Sequence, residues 1–254
     1  MKLDKIIVIT AVVFAPLFST AAQGKNGWNL KLTNQPGLTK AMVQSRIQPF
    51  YDERDVDNNL DGIEERPIKR NINSPHFFQT PKGVYAIVVV QNIARQEPRI
   101  SGWCDVFLFG RKNSKWLLTG RKLMAGGGGT NGYAGEFKEL LRTGQNSVGV
   151  VIKGGGSIMG HALASDDIIK IENGKLLPGS LVSISTYIDN GGDDANPRCE
   201  KNTYKFIPSQ KKNYDLHLIT TDCTDTKKHR KTASVTVVYI NGRYKIPDNF
   251  RFEL

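Results

Sequence analysis

Residues 168–177 read Ile-Ile-Lys-Ile-Glu-Asn-Gly-Lys-Leu-Leu, one of the two clearest local signals for paired strands in the chain. Apolar residues of strand length lie on both sides of the Asn173-Gly174 pair. A two-residue hairpin turn needs positive φ at both of its central residues, which asparagine and glycine tolerate. A second Asn-Gly pair, at 241–242, also separates two strand-like runs. The two pairs predict two antiparallel β-hairpins.

More strand-like segments lie on both sides of this hairpin, about ten in all, with turn residues every 8 to 15 residues or so. Some are continuous apolar runs and others alternate apolar with polar residues; they lie at 84–90, 103–109, 147–152, 181–188 and 214–220. No repeat of fixed period is present, which argues against a regular propeller. The fold class predicted is mainly β, with antiparallel sandwich or barrel-like sheets, short hairpins and an irregular N-terminal segment. Residues 39–46 predict one short amphipathic helix that ends before Pro49.

The first 22 residues have the three-part layout of a secretory signal peptide. Lys2 and Lys5 precede an apolar run at 6–18, and small residues follow up to Ala22. The run is shorter than the roughly 20 residues that a spanning helix needs. The sequence therefore predicts export to the periplasm or the extracellular space, with no integral membrane segment. The expected domains are a cleaved signal peptide at 1–22, an irregular N-terminal segment with a short helix and an acidic loop at 23–82, and a β domain at 83–254.

The chain is basic, with 35 Lys and Arg against 24 Asp and Glu and a formal net charge of +11. Such an exported protein can meet anionic lipid, cell-wall polymer, nucleic acid or an acidic protein, and net charge does not choose among them. The densest basic run gives the candidate polyanion contacts Lys227, Lys228, Arg230 and Lys231. A solvated loop is the alternative for this run. No aromatic residue flanks it, which disfavours nucleic acid. The expected partner is another protein or an anionic component of the cell envelope.

Three cysteines are present, so an oxidising compartment allows one disulfide and leaves one thiol. If the loop at Lys211-Lys212 joins two hairpin strands and is centred on Lys211, opposed residues have numbers that sum to 422. Cys199 then lies opposite Cys223, within reach of a disulfide. Cys104 lies in an apolar run and is expected to be a buried free thiol.

An acidic segment at 55–65 resembles the calcium loops of EF-hands and dockerin-like modules, because oxygen ligands alternate along it before Gly62. It departs from that pattern at the twelfth position, which is Ile68 rather than a bidentate glutamate, and Glu65 is the substitute. The resemblance implies calcium as a candidate cofactor. The alternative is a solvated acidic loop whose residues make turns. The candidate ligands are Asp55, Asp57, Asn59, Asp61 and Glu65.

No catalytic set is assembled in the sequence. The glycine runs at 126–129 and 154–156 lack the features of a phosphate-binding loop and are interpreted as β connections or bulges. Ser157 lies in a broken nucleophile elbow, because Met159 occupies a glycine position. His161 follows four residues later, and a triad with an aspartate stays an alternative because triads form in space.

These observations predict an exported binding or interaction protein of the cell envelope without catalytic activity. An inhibitor or immunity-type protein is one form that such a protein takes. The alternatives from other classes are an envelope hydrolase that uses Ser157 and His161, and a polyanion-binding protein that uses the basic run at 227–231.

Overall fold

The computed structural model describes residues 27–33, 35–51, 56–57, 66–94, 101–130, 132–158, 160–190, 198–224 and 232–247. The predicted signal peptide at 1–22 lies outside these residues, so cleavage and export stay predictions. None of the helices in the described part of the chain is long and apolar enough to cross a bilayer.

The short helix predicted near residue 40 is present. Helix α1 spans Lys40–Ile47, and a 3-10 turn, η1, follows at Gln48–Phe50 with Pro49 near its start. The Thr39 hydroxyl caps the helix by accepting a hydrogen bond from the Met42 amide (3.2 Å). Such a cap satisfies one of the amides that the first turn leaves without an intrahelical partner.

Two stacked antiparallel sheets form most of the structure, as the strand patterns predicted. The five-stranded sheet has the order β3-β5-β6-β7, with β4 also paired to β5. Its strands are β3 Lys69–Ile72, β4 His76–Thr80, β5 Gly83–Ile93, β6 Trp103–Lys112 and β7 Lys115–Gly126. Strands β3 and β4 thus lie within the segment expected to be irregular.

The seven-stranded sheet is a simple meander in which each strand pairs with the next along the chain. Its strands are β8 Glu136–Gly144, β9 Ser147–Ile158, β10 His161–Glu172, β11 Lys175–Asp189, β12 Cys199–Ile207, β13 Asp215–Asp222 and β14 Thr232–Val237. Two smaller pairs complete the described strands: β1 Val56–Asp57 with β2 Arg66–Pro67, and β15 Tyr239–Ile240 with β16 Arg243–Tyr244.

Both Asn-Gly turns have the conformation that the sequence predicted. The φ angles are 51° and 74° at Asn173 and Gly174, and 48° and 91° at Asn241 and Gly242. The first turn joins β10 to β11 and the second joins β15 to β16. Positive φ at both central residues gives these turns the twist that matches the paired strands.

Three apolar clusters divide the protein into layers. The first lies between the five-stranded sheet and α1 with η1, and it contains Val43, Ile47, Val88, Phe107 and Trp116. The second lies between the two sheets and contains Ile87, Val106, Val150, Ile152 and Ile169. The third lies against the other face of the seven-stranded sheet and contains Val151, Ile168, Ile184, Leu216 and Tyr244.

Strands β9 and β10 therefore bury apolar side chains on both faces. Val150 and Val151 are adjacent in the chain and belong to different clusters, as do Ile168 and Ile169. This explains why the sequence shows continuous apolar runs in these two strands, while β13, which covers only one cluster, alternates.

The two glycine runs pack against each other, which their sequence pattern did not predict. The Gly155 amide donates to the Gly128 carbonyl (3.1 Å). A Cβ atom at Gly129 would lie 2.3 Å from the Gly155 oxygen, so a larger residue does not fit without movement. These glycines allow two backbone segments to approach closely.

Candidate binding cleft

Two groups of predicted site residues fall mainly outside the described part of the chain. Among the candidate calcium ligands, only the backbone of Asp57 is described, at the end of β1. The basic run at 227–231 also lies outside it. Within the described residues, no group of three or more His, Cys, Asp and Glu side chains is arranged to hold a metal ion. The calcium and polyanion sites stay predictions.

The structure does not bring Ser157 and His161 together. Ser157 is opposed to Ala162 in the β9–β10 pair, and His161 is opposed to Ile158. Opposed residues share a face of the sheet and adjacent residues alternate, so this register directs Ser157 and His161 to opposite faces. No hydrogen bond joins their side chains in the described part of the chain.

The predicted disulfide is present between Cys199 and Cys223, whose Cα atoms are 4.9 Å apart. The register that predicted it is also confirmed, because Phe206 lies opposite Leu216 and Tyr204 opposite Leu218. The bond links the start of β12 to the residue that follows β13. Cys104 is buried and unpaired, and burial raises the pKa of its thiol to about 12.

A cleft of about 600 Å³ opens between strands β8 and β12. One wall comes from β8 and the other from β12, while Thr186, Pro208 and Tyr214 complete it. The wall residues are Lys138, Glu139, Leu141 and Arg142 on β8, and Asn202, Thr203, Tyr204, Lys205 and Phe206 on β12. A cavity of this size is typical of a binding site for a small molecule or a short peptide segment.

The cleft exists because the seven-stranded sheet curls without closing along its length. At one end its first strand reaches the turn after β12: the Tyr214 amide donates to the Thr143 carbonyl (2.9 Å), and the Gln145 amide donates to the Lys212 carbonyl (3.1 Å). Lys170 strengthens this contact by donating to the Asn213 side chain (2.5 Å). Beyond these bonds, no described strand pairs with the outer edge of β8.

The β12 edge is open because β11 and β12 separate soon after they meet. Their register covers three pairs, from Asp189 with Cys199 to Tyr187 with Lys201. Past this point the Asn202 side chain replaces the strand pairing, since its amide nitrogen donates to the Ser185 carbonyl (2.6 Å). From Asn202 onward, β12 pairs only with β13 among the described strands.

The backbone orientation of β12 shows which groups face the cleft. The Cys223 amide donates to the Cys199 carbonyl (2.8 Å), so the backbone of Cys199 faces β13. The Asn190 amide donates to the Arg198 carbonyl (3.0 Å), so Arg198 faces β11. Backbone direction alternates along a strand, and the β12–β13 register has no bulge. The amides and carbonyls of Asn202, Tyr204 and Phe206 therefore face the cleft.

A buried carboxylate lies behind the wall of the cleft. Asp166 on β10 is only 1% exposed, and its Oδ2 atom accepts hydrogen bonds from Lys138 Nζ (2.5 Å) and the Tyr204 hydroxyl (2.8 Å). A buried charge is costly unless it is paired and hydrogen-bonded, and these two donors supply both interactions to Oδ2. Burial, followed by the hydrogen bond to Asp166, raises the pKa of the Tyr204 phenol well above its usual range.

Arg142 is a cation of the cleft that forms no ion pair with a described acidic residue. Its guanidinium lies 4.5 Å from the centre of the Trp28 ring and 5.6 Å from that of Tyr214. Two aromatic rings hold the planar group in place by cation–π attraction. In the described part of the chain it forms no ion pair, and its Nε atom is buried without a hydrogen-bond partner. A guanidinium held in this way is suited to binding a carboxylate or another oxyanion.

Buried polar atoms without partners concentrate at this cleft. Four such side-chain atoms occur among the described residues: Arg142 Nε, Asp166 Oδ1, Asn202 Oδ1 and Thr220 Oγ1. Arg142 and Asn202 line the cleft, the carboxylate of Asp166 is bonded by two lining residues, and Thr220 lies directly opposite Asn202. Each unsatisfied group costs about 1–3 kcal/mol. Among the described residues, the buried side-chain atoms without partners thus lie in the walls of this cleft or directly behind them.

The sequence of β12 contains one signal for this cleft. The inward positions of β12 are Glu200, Asn202, Tyr204 and Phe206, a series that is polar at one end. Glu200 is only 2% exposed and accepts hydrogen bonds from Arg198 (3.0 Å). Polar residues on the inward face of an alternating strand mark a site that is not simple core.

Comparison with family models, curated proteins and solved structures gives no match for this chain.

Proposed function

We propose that this protein is an exported, non-catalytic binding protein of the cell envelope that docks a partner in the cleft between β8 and β12. The observation that carries the proposal is the cleft itself, in which two open strand edges, a held arginine and buried polar atoms without partners meet. An inhibitor or immunity-type protein fits this description, because such a protein acts by docking rather than by chemistry.

The charge of the cleft walls supports an acidic partner group. Lys205 is exposed, Arg142 forms no ion pair with a described residue, and Lys138 is neutralised locally by Asp166. Glu139 is the one acidic residue among the lining side chains. Complementary charge steers association and sets specificity more than it sets affinity. The basic character of the whole chain acts in the same direction.

The hydrolase alternative has less support from the geometry. Nucleophilic catalysis needs a base within hydrogen-bond reach of the nucleophile, and the β9–β10 register directs Ser157 and His161 to opposite faces. Hydrolysis of an envelope ester or amide that is abolished by Ser157→Ala would contradict the proposal and favour the hydrolase.

Site-specific photo-crosslinking tests the proposed function. A photoreactive phenylalanine analogue replaces Lys205, an exposed residue of the cleft wall, and in a matched variant it replaces Lys115, an exposed lysine of the β6–β7 hairpin. After illumination in envelope extract, a defined adduct is expected from the Lys205 position and not from the Lys115 position. Equal adducts at both positions, or none at Lys205, would contradict docking in the cleft.

A further inference from the structure

We infer that the cleft captures an extended, acidic segment of a partner protein, which adds as a strand to the open edge of β12. This inference rests on the proposed function and specifies how the partner binds. Strand addition uses backbone hydrogen bonds for affinity and pockets for alternate side chains for specificity.

The β12 edge is the better template of the two walls. Along β12 the register with β13 runs without a bulge from Glu200 to Ile207, so its outward amides and carbonyls are regularly spaced. Strand β8 has register shifts at Phe137/Glu139 and at Arg142/Gly144. Bulges of this kind interrupt an edge and hinder its pairing with another strand.

The hydrogen-bonding groups that an added strand would use are those already shown to face the cleft. Asn202, Tyr204 and Phe206 each present one backbone amide and one carbonyl to the cleft. No other described strand pairs with them. An edge of this kind is a ready-made template for another chain.

The side-chain environment on the two faces of such a strand is different. Its inward side chains would lie near Phe206, Leu141 and Tyr214, which form the apolar end of the cleft. Its outward side chains would lie beside Thr203 and Lys205, which are exposed. Opposite charges on neighbouring strands stabilise a sheet, so outward acidic residues fit beside Lys205.

Arg142 supplies a second, more specific anchor on the opposite wall. Trp28 and Tyr214 hold its guanidinium, so less side-chain entropy is lost when it binds. A carboxylate of the captured segment is the group whose geometry matches the guanidinium fork. The segment is therefore expected to alternate apolar and polar residues and to carry at least one acidic side chain.

The test uses the full chain and a fluorescein-labelled heptapeptide in which valine and glutamate alternate, with fluorescence anisotropy as the readout. Two further peptides carry N-methyl groups on one or the other alternate set of amides. In an added strand only one alternate set of amides faces β12. The peptide methylated on that set loses several hydrogen bonds and should bind at least about tenfold more weakly. The peptide methylated on the other set should bind like the parent.

Charge variants give the second arm. Lys205→Glu and Arg142→Gln should each weaken binding of the parent peptide, by about fivefold or more for Lys205→Glu, where attraction becomes repulsion. Lys115→Glu makes the same charge change outside the cleft and should leave affinity unchanged. Lys205 is exposed, so its variant keeps the test valid if Arg142→Gln does not fold.

The outcomes separate this inference from the proposed function. Equal binding of both methylated peptides, or no binding of the parent peptide at millimolar concentration, would overturn strand addition, while a crosslink at Lys205 would still support docking in the cleft. A concentration-dependent dimer that Lys205→Glu abolishes would assign the edge to a second copy of the chain and would also overturn the inference.

Discussion

Tyr204→Phe is the substitution that best tests the buried carboxylate behind the cleft. It removes the hydroxyl that donates to Asp166 Oδ2 (2.8 Å) and leaves Lys138 as the remaining donor to that atom. Because Asp166 is 1% exposed, water does not readily replace the lost bond. A hydrogen bond to a charged group contributes about 1.5–3 kcal/mol. Since Tyr204 is only partly buried, we expect a loss of about 2 kcal/mol.

For a domain of this size, that loss corresponds to a fall in melting temperature of about 4–8 °C. Urea denaturation gives the free energy directly, and an unchanged m-value shows that the denatured state is unaffected. A change in the free energy of unfolding below about 0.5 kcal/mol, the usual scale of a surface substitution, would refute the buried charge-assisted bond.

Tyr187→Phe is the matched control for this experiment. Its hydroxyl also donates to a carboxylate, that of Asp189 (2.7 Å). Asp189 is half-buried, whereas Asp166 is almost fully buried, so water reaches the bond of Tyr187 more easily. The hydrogen bond to Asp189, followed by burial, raises the pKa of the Tyr187 phenol. The melting temperature should fall clearly less than in Tyr204→Phe. Equal shifts in the two variants would show that burial of Asp166 does not strengthen its bond.

Three more predictions follow from particular residues. Replacing Cys199 and Cys223 by serine should destabilise the protein by about 3 kcal/mol, because the disulfide closes a loop across 24 positions of the chain. The urea midpoints of the original protein and of the double variant measure this loss, and equal midpoints would contradict it. Burial lowers the pKa of His76 below its ordinary 6.5. The folded state therefore binds fewer protons than the unfolded chain, and the free energy of unfolding should fall as the pH drops through 6.5 towards the pKa of the folded state. His76→Gln should reduce this pH dependence of the urea midpoint, and an unchanged dependence would show that another group causes it. Calcium at a hundred times its dissociation constant should add about 2.7 kcal/mol to the free energy of unfolding. Melting temperatures with and without calcium measure this, and the double substitution Asp57→Ala with Asp61→Ala should remove the shift. No shift at millimolar calcium would count against the calcium site at 55–65.

Much of the local structure was predictable because its causes lie within a few residues. Helix α1 follows from a threonine cap and a nearby proline, and the hairpin of β10 and β11 follows from Asn173-Gly174. The Cys199–Cys223 bond follows from the constant sum that an antiparallel register imposes. In each case, one turn or one pairing fixes the geometry.

The residues of the cleft were not predictable in this way. Asp166 lies 28 positions from Lys138 and 38 from Tyr204, and no short pattern links the three. Ser157 lies in a broken nucleophile elbow and His161 follows four residues later, yet the register directs the two to opposite faces. Proximity in sequence therefore gave less information about the site than pairing between strands.

Most of the strands after residue 83, the two Asn-Gly turns, the helix and the disulfide were predictable from the sequence alone, because side-chain alternation and turn conformation are properties of short segments. The strands at 69–72 and 76–80 were not, since they lie in the segment that was expected to be irregular. The separation of β11 from β12 after three residue pairs, and the open β12 edge towards β8, are visible only in the folded protein. The physical reason is that twist accumulates over a whole sheet. Whether the ends of a curled sheet meet depends on all seven strands together, so the cleft is encoded in none of them alone.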